Sequence, residues 1–468
     1  MSCGSASGRR GVAVGPTDEH EGSKCLEDME ADAEAPTTTI LRRMVTPGGL
    51  LAAFGNRDYR LIWSGAFLSN IGTWIHTTAL LWLVKVTTNS NAWVGAVNLA
   101  TYLPVIVFVQ YAGSLADRAN RKVIIFASQA VMLVGALALA VYTGLGLHSL
   151  GVMMVVTLVM GIAFSFTFPA WQAILPDLVT QSDLLNGIAL NAAQFNLARF
   201  VGPAIGAAIL FSASVTATNT SGVSIAFYVN AASFLAVLAA VSLLRTKTPG
   251  FPAPAEGTWK HIVEGASYVR RHRWAINVLA ILGITAFFGL PYLVLLPSVA
   301  RDVLHRQAGA YGALLGLSGL GAVIGAPLIT FLNRTMKERD IIKISEIGLG
   351  VFLLAFSLSR AYWLSLLLSV GLGVNYIMIA SSINTVLQSR IDRSIRGRVM
   401  SFYVLGILGA LPLGGFFLGV VSDVRSTPFA LFLGGAVCLA LGIVLVLAPG
   451  LTREAVSPAA AADRAEQC

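Results

Sequence analysis

Apolar runs separated by short breaks of charge and turn residues recur along most of the chain. Twelve of them fall near residues 61 to 84, 92 to 112, 123 to 146, 149 to 169, 187 to 212, 222 to 244, 274 to 299, 308 to 332, 341 to 359, 362 to 386, 399 to 421 and 427 to 448. A helix rising ~1.5 Å per residue needs roughly 20 apolar residues to cross a hydrocarbon layer about 30 Å thick. Open strands cannot satisfy their backbone in such a layer, so the runs are read as helices. The pattern predicts an all-α polytopic membrane protein with twelve transmembrane helices. Runs two and eight are glycine-rich and interrupted, the weakest of the set.

Composition agrees with a lipid solvent. Of 468 residues 56% are hydrophobic and only 12% charged, and the mean hydropathy is +0.74; soluble domains carry about 25% charged residues. The first 57 residues hold no long apolar run. Met1 to Ile40 carries eight Asp/Glu against three Lys/Arg, a composition expected to form a disordered acidic tail over 1–57. No basic-then-apolar leader opens the chain, so the first run is the expected insertion signal. Cys3, Cys25, Cys438 and Cys468 show neither metal-like nor paired spacing, and no disulfide, metal or cofactor is expected. Nor does any phosphate loop or nucleophile elbow appear.

Charge then orients the chain. With the N-terminus in the cytoplasm, the cytoplasmic breaks and tails near the runs hold twenty-three Lys/Arg and the other face five: Lys85, Arg301, Arg306, Arg360 and Arg425. This positive-inside bias places both termini in the cytoplasm and accounts for the net charge of +9 without nucleic acid binding. Expected localisation is the plasma (inner) membrane.

The runs divide into halves. Residues 58–245 and 274–449 are expected as two pseudo-symmetric six-helix bundles, joined by a linker over 246–273 and followed by a tail over 450–468. In the linker Trp259, Ile262, Val263, Ala266 and Val269 recur at helical spacing, which predicts a short interfacial helix. Ser114–Ile125 aligns without gaps to Phe331–Ile342, an offset of 217, and the stretch from Ile174 aligns to that from Val386 at 212. Parallel six-helix repeats with a site between them are a transporter architecture.

The stretch GSLADRANRK, Gly113 to Lys122, read as the loop after run two, resembles the G-x-L-a-D-R-x-x-R-k signature of the major facilitator superfamily. RLIWSGAFLSNIGTWI, LARFVGPAIGAAI and LQSRIDRSIRGRVMSFY are similar to the superfamily branch that exports macrolides, other drugs and enterobactin, and the resemblance covers about residues 55 to 450. It implies that Gly113, Asp117, Arg118, Arg121 and Lys122 latch the halves in one state of alternating access. A merely positive-inside loop explains the bases but not Gly113 or Asp117. Gly202, Pro203 and Gly206 match the antiporter motif G-x-x-x-G-P-x-x-G-G, while Ala198 and Ala207 replace two of its glycines. Arg396, Gly397 and Arg398 are read as part of a cytoplasmic loop before run eleven.

Arg199 stands out without any resemblance. It lies about twelve residues into run five, where an unpartnered Arg costs at least ~2.5 kcal/mol, so it is expected to face a cavity or a partner. Helix-tying through carbonyls is its bland rival. The superfamily pattern lines the cavity with runs one, four, seven and ten. The candidates are Asn70, Thr73, Trp74 and Thr77, spaced on one face, with Gln194 of run five and Asn375 and Ser382 of run ten. Aromatics with few charges suit an amphipathic cargo. Some relatives place an acid where Thr73 stands, so coupling is sought at His76 or Glu346.

The sequence thus predicts a monomeric secondary transporter, not an enzyme. Its expected partners are a small-molecule substrate, the lipid bilayer and a coupling ion, expected to be the proton, with efflux of a drug or macrolide as the leading reading. A siderophore exporter or lipid transporter of the same fold is the alternative within the class, and a non-transporting membrane sensor or scaffold the alternative outside it. A membrane enzyme is disfavoured by the lack of clustered acid/base pairs.

Overall fold

The structure is a computed structural model that describes residues 51–213, 215–216, 218–246, 248, 258–392, 395–448 and 450, without the side chains of Gln110, Asp117 and 258–262. Most of the expected acidic tail, the Pro/Gly part of the linker and the C-terminal tail lie outside the described residues.

Helices account for nearly all of the described chain. The first bundle comprises α1 (Arg57–Thr88), α2 (Asn91–Arg118), α3 (Arg121–Gly144), α4 (Leu150–Leu178), α5 (Leu184–Ser212) and α6 (Ser221–Ser242). A linker helix, α7, spans Thr258–Arg271. The second bundle comprises α8 (Arg273–Val303, with π-helical turns at Thr285–Gly289 and Val299–Val303), α9 (Ala308–Leu332), α10 (Glu338–Leu358), α11 (Tyr362–Arg390), α12 (Arg396–Val424) and α13 (Thr427–Leu447).

Among the described residues eleven helices are long and apolar enough to cross a membrane, α1 not among them. At 32 residues α1 has the length, and it packs between α5 and α6 as an integral part of its bundle. The arrangement is compatible with the twelve expected spans.

Packing reproduces the expected repeat. In the first bundle α1 lies on α5 and α6, α3 on α4 and α6, and α2 on α4; in the second, α8 lies on α12 and α13, α10 on α11 and α13, and α9 on α11. Each contact has its counterpart six helices on, once the linker is set aside. Two seams join the bundles, α2 against α12 and α5 against α9, and these exchange under the same repeat.

The largest departures of helix ends from the hydropathy reading are extensions. α4 runs to Leu178 rather than 169, α11 to Arg390 rather than 386, and α12 starts at Arg396 rather than 399. The cause is physical: hydropathy sees only the apolar middle of a helix, while backbone hydrogen bonding continues into its polar ends. GSLADRANRK is accordingly not a loop. α2 continues through Arg118, only Ala119 and Asn120 intervene, and Asn120 caps α3 by accepting the Lys122 N–H at 3.0 Å. Arg396, Gly397 and Arg398 are likewise the first turn of α12, not a loop.

The acidic tail expected up to residue 57 ends sooner. Ala52–Gly55 forms a 3₁₀ turn with Ala52 and Ala53 buried, because Phe54 packs edge-on against Tyr59 and Trp63 while the Ala53 N–H donates to Asn186 Oδ1 at 3.0 Å. α7 is held to the second bundle by the Arg398–Glu264 ion pair and by Gly265 lying on the α12 backbone. Beside it Tyr268 stacks on His272 at 3.9 Å between centroids; burial, and then the Asp392 carboxylate, hold its phenol above the ordinary value.

Candidate functional site

The seam of α1 with α5 is built from aromatic side chains reaching backbone carbonyls. Tyr59 donates to the Gly187 carbonyl at 2.9 Å and Trp63 Nε1 to that of Leu190 at 3.0 Å. Farther along, Gly202 lets the helices close: a Cβ there would stand 2.5 Å from Trp74 Cβ and 2.9 Å from the Ile71 carbonyl. Gly206 lies on the same seam against Ile75 and Thr78, while Ala207 faces Gly312 of α9, so the small residues of the antiporter-like motif pack helix against helix on both sides. Pro203 is buried too, and its carbonyl lies over Gly312 of α9, where any Cβ would collide with Ala207.

This leaves one stripe of α1 uncovered. Gly72, Ile75, His76 and Ala79 are buried, whereas Thr73 is exposed and Asn70, Trp74 and Thr77 are half-buried. Thr77 turns its hydroxyl to the Thr73 carbonyl at 2.9 Å. Gln194 is buried against α1, its amide donating to the Trp63 carbonyl at 3.4 Å.

Arg199, near the middle of α5, reaches from this stripe to the other bundle. Its guanidinium carbon lies 5.8 Å from the Trp74 ring centroid and 5.2 Å from that of Tyr376 on α11. It is 6% exposed, and its Nε has no hydrogen-bond partner.

Other candidates point elsewhere. Asn375 donates to the Gly371 carbonyl of its own helix at 2.8 Å and lies against Gly348 of α10. Ser382 is buried with an unpartnered hydroxyl. His76 sits inside the first bundle, its ring 4.5 Å from Phe227 of α6. Glu346 lies fully inside the second, accepting hydrogen bonds from Thr285 Oγ1 at 3.1 and 3.0 Å, with the Cys438 thiol of α13 beside it. A metal-like group of His, Cys, Asp and Glu is absent among the described residues.

The signature residues act within the first bundle. Arg121 pairs with Asp177 at the end of α4 at 2.6 Å, and Lys122 donates to the Leu244 carbonyl after α6 at 2.9 Å. Arg118 is exposed, and the Asp117 side chain lies outside the described ones. A Cβ at Gly113 would meet no described atom within 4 Å. Arg396 donates to the Ile391 carbonyl at the mouth of α12, and Gly397 is as open as Gly113.

Sequence reasoning missed the polar closure at the other end. There Asp423, at the end of α12, accepts from the Asn91 N–H at 2.7 Å, the Ala92 N–H at 3.0 Å and the Ser90 hydroxyl at 2.5 Å, all at the start of α2. Lys85, 2% exposed, pairs with Asp302 at 2.7 Å and donates to Asn91 Oδ1 at 3.0 Å. The Asn91 amide also meets Ser422 and Ser298, and Arg301 reaches the Lys85 carbonyl. These residues surround a depression of about 460 Å³. The one available signal was Ser90 as an N-cap; nothing local marks its partner 333 residues away.

The comparisons with known proteins decide the family. A family model described as "Transmembrane secretion effector", of the major facilitator superfamily, matches residues 48–465. The chain belongs to that family. The chain is similar to the "Staphyloferrin A transporter" of Staphylococcus aureus, 24% identical over 78% of this chain and 89% of that protein. The "Multidrug efflux pump Tap" of Mycolicibacterium fortuitum is 27% identical over 84% and 95%. A solved POT family transporter in complex with a thioalcohol conjugated peptide superposes with a TM-score of 0.69 at 13% identity, covering 88% of this chain and 99% of that one, which shows the shared fold. As a major facilitator protein the chain is a multi-pass membrane transporter.

Proposed function

We propose that this transporter exports a small amphipathic molecule by alternating access, driven by a transmembrane proton gradient, as a monomer in the plasma membrane. The observation that carries the reading is the arrangement of contacts around Arg199. The stripe of Asn70, Thr73, Trp74 and Thr77 and the cation itself belong to one bundle, Tyr376 to the other. A molecule seated there touches both moving parts.

The positive-inside bias supports cytoplasmic termini, and with them an extracellular position for the closure at Asp423. The state described is then shut to the outside, and cargo reaches Arg199 from the cytoplasm. Glu346 is the favoured proton carrier. It is a carboxyl inside the membrane, on the π-helical turn of α8 through Thr285; such turns are frequent at functional sites. Arg121 and Lys122, bonded to Asp177 and the Leu244 carbonyl, hold the cytoplasmic end of the first bundle in shape for the opposite state.

A siderophore as cargo is the second reading, favoured by the likeness to the staphyloferrin transporter. Inverted membrane vesicles under an imposed pH gradient, offered dyes, macrolides and catecholate siderophores, test both. Gradient-dependent uptake of the drugs supports the first and of siderophores alone the second, whereas gradient-independent uptake of every compound sinks proton-coupled export.

A further inference from the structure

The pattern around Arg199 carries a statement about cargo chemistry that its position alone does not. A guanidinium offers five N–H donors, yet among the described residues Arg199 makes no hydrogen bond and no ion pair, with its Nε buried and unpartnered. Its neighbours are aromatic faces, Trp74 and Tyr376. Tyr102 of α2 and Tyr292 of α8 lie within its electrostatic reach, the latter held by a 2.6 Å hydrogen bond to Ser318 of α9. Aromatic faces attract the cation, but they accept none of its N–H groups in the plane where a carboxylate docks.

The other buried cations of the protein are treated differently. Lys85 has Asp302 and Asn91, and Arg121 has Asp177. Those are structural charges with structural partners. Among the described buried cations, Arg199 is the one with an unpartnered Nε and no acidic partner.

Resting on the transporter reading above, we propose that Arg199 is the anchor for one acidic group of the cargo, and that the cargo is an aromatic monoanion: a carboxylate or phenolate on a flat conjugated body. The acid takes the free edge of the guanidinium. The flat body lies between Trp74 and Tyr376, contributed by α1 and α11. A single cation with no second base beside it selects one negative charge. Because Trp74 and Tyr376 belong to different bundles, the ligand also links the two.

The test uses the full-length protein in lipid nanodiscs and isothermal titration with 2-naphthoate, then with 2-naphthamide, which has the same shape and no charge. In the wild type the acid is expected to bind at least tenfold more tightly than the amide. Arg199→Gln should abolish that preference, so that the acid and the amide bind alike, and Arg199→Lys should keep part of it, having the charge without the planar fork. Equal binding of acid and amide to the wild type overturns the proposal without recourse to any variant. So does a tenfold preference that survives in Arg199→Gln, or a naphthoate that does not bind. Gradient-driven accumulation of a cationic dye in vesicles of the same protein separates the two readings. If it persists while the acid preference is missing, only the anchor fails; if no compound accumulates, the transport reading fails.

Discussion

The carboxylate of Asp423, on the last turn of α12, accepts the backbone N–H of Asn91, the first residue of α2, at 2.7 Å. A charged acceptor at a helix N-terminus satisfies donors that the helix cannot satisfy itself and is favoured by the helix dipole. Here the cap comes from the other bundle, so the bond that completes α2 also closes the protein.

Asp423→Ala should therefore favour the state open at that face. Loss of a helix cap costs about 1 kcal/mol, a roughly fivefold change in the ratio of closed to open molecules. Maleimide labelling of a cysteine placed at Ser422, 5% exposed in the closed state, in a variant without the native cysteines, should accelerate by about that factor. An unchanged labelling rate would mean the bond does not govern opening.

Arg121 and Asp177 are expected to stabilise the first bundle as a pair. Their side chains are 10% and 26% exposed, between a surface pair and a fully buried one, so breaking the pair should cost about 2 kcal/mol. Thermal melting of Arg121→Gln, Asp177→Asn and the double variant checks this. Each single change should lower the Tm comparably and the double should add little, whereas additive losses would show that the two do not act together.

Two glycines of recognised motifs should respond in opposite directions. Gly202→Ala drives a methyl group into Trp74 and the Ile71 carbonyl and should cost about 1–3 kcal/mol by overpacking. Gly113→Ala meets no described atom and should gain up to about 1 kcal/mol from helix propensity. Melting temperatures of the two purified variants decide, and a loss at Gly113 equal to that at Gly202 would contradict this account.

Glu346→Gln keeps the shape of the side chain and its bond from Thr285 while removing the exchangeable charge. If Glu346 carries the proton, downhill efflux should persist while accumulation against a gradient disappears. Unaltered gradient-driven transport would return Glu346 to a purely structural role.

Much of the helical fold was legible because each span must bury a long apolar run, a signal that needs no knowledge of neighbours. Helix ends were not, since the polar residues of GSLADRANRK and of Arg396–Arg398 extend their helices beyond the apolar layer. Arg199 was legible for the same reason as the spans: a charge inside an apolar run is anomalous wherever the chain folds. Asp423 and Asp177 were invisible because their meaning lies in partners 332 and 56 residues away, and an acid near a helix end looks the same whether or not a helix start from elsewhere is brought to it. The coupling candidate His76, set beside the cavity candidate Thr73, shows the converse. Thr73 and His76 share one stretch of α1, yet one is exposed and the other packed on Phe227, a distinction set by which face α6 covers.

The two seams between the bundles share glycine packed on backbone, Gly95 and Gly419 doing so between α2 and α12, and differ in how they end. Along α5 and α9 the backbones meet directly, with Gly312 under the Pro203 carbonyl and Gly319 under that of Arg199. Along α2 and α12 the contact ends in the charged cap of Asp423. A door with two edges of unlike construction swings on one and is fastened at the other. Among the described residues no side-chain bond crosses the α5–α9 edge, so that edge would serve as the pivot and the Asp423 edge as the catch. Opening at that face would then be a lopsided parting that begins beside α2, with Asn91 at its rim.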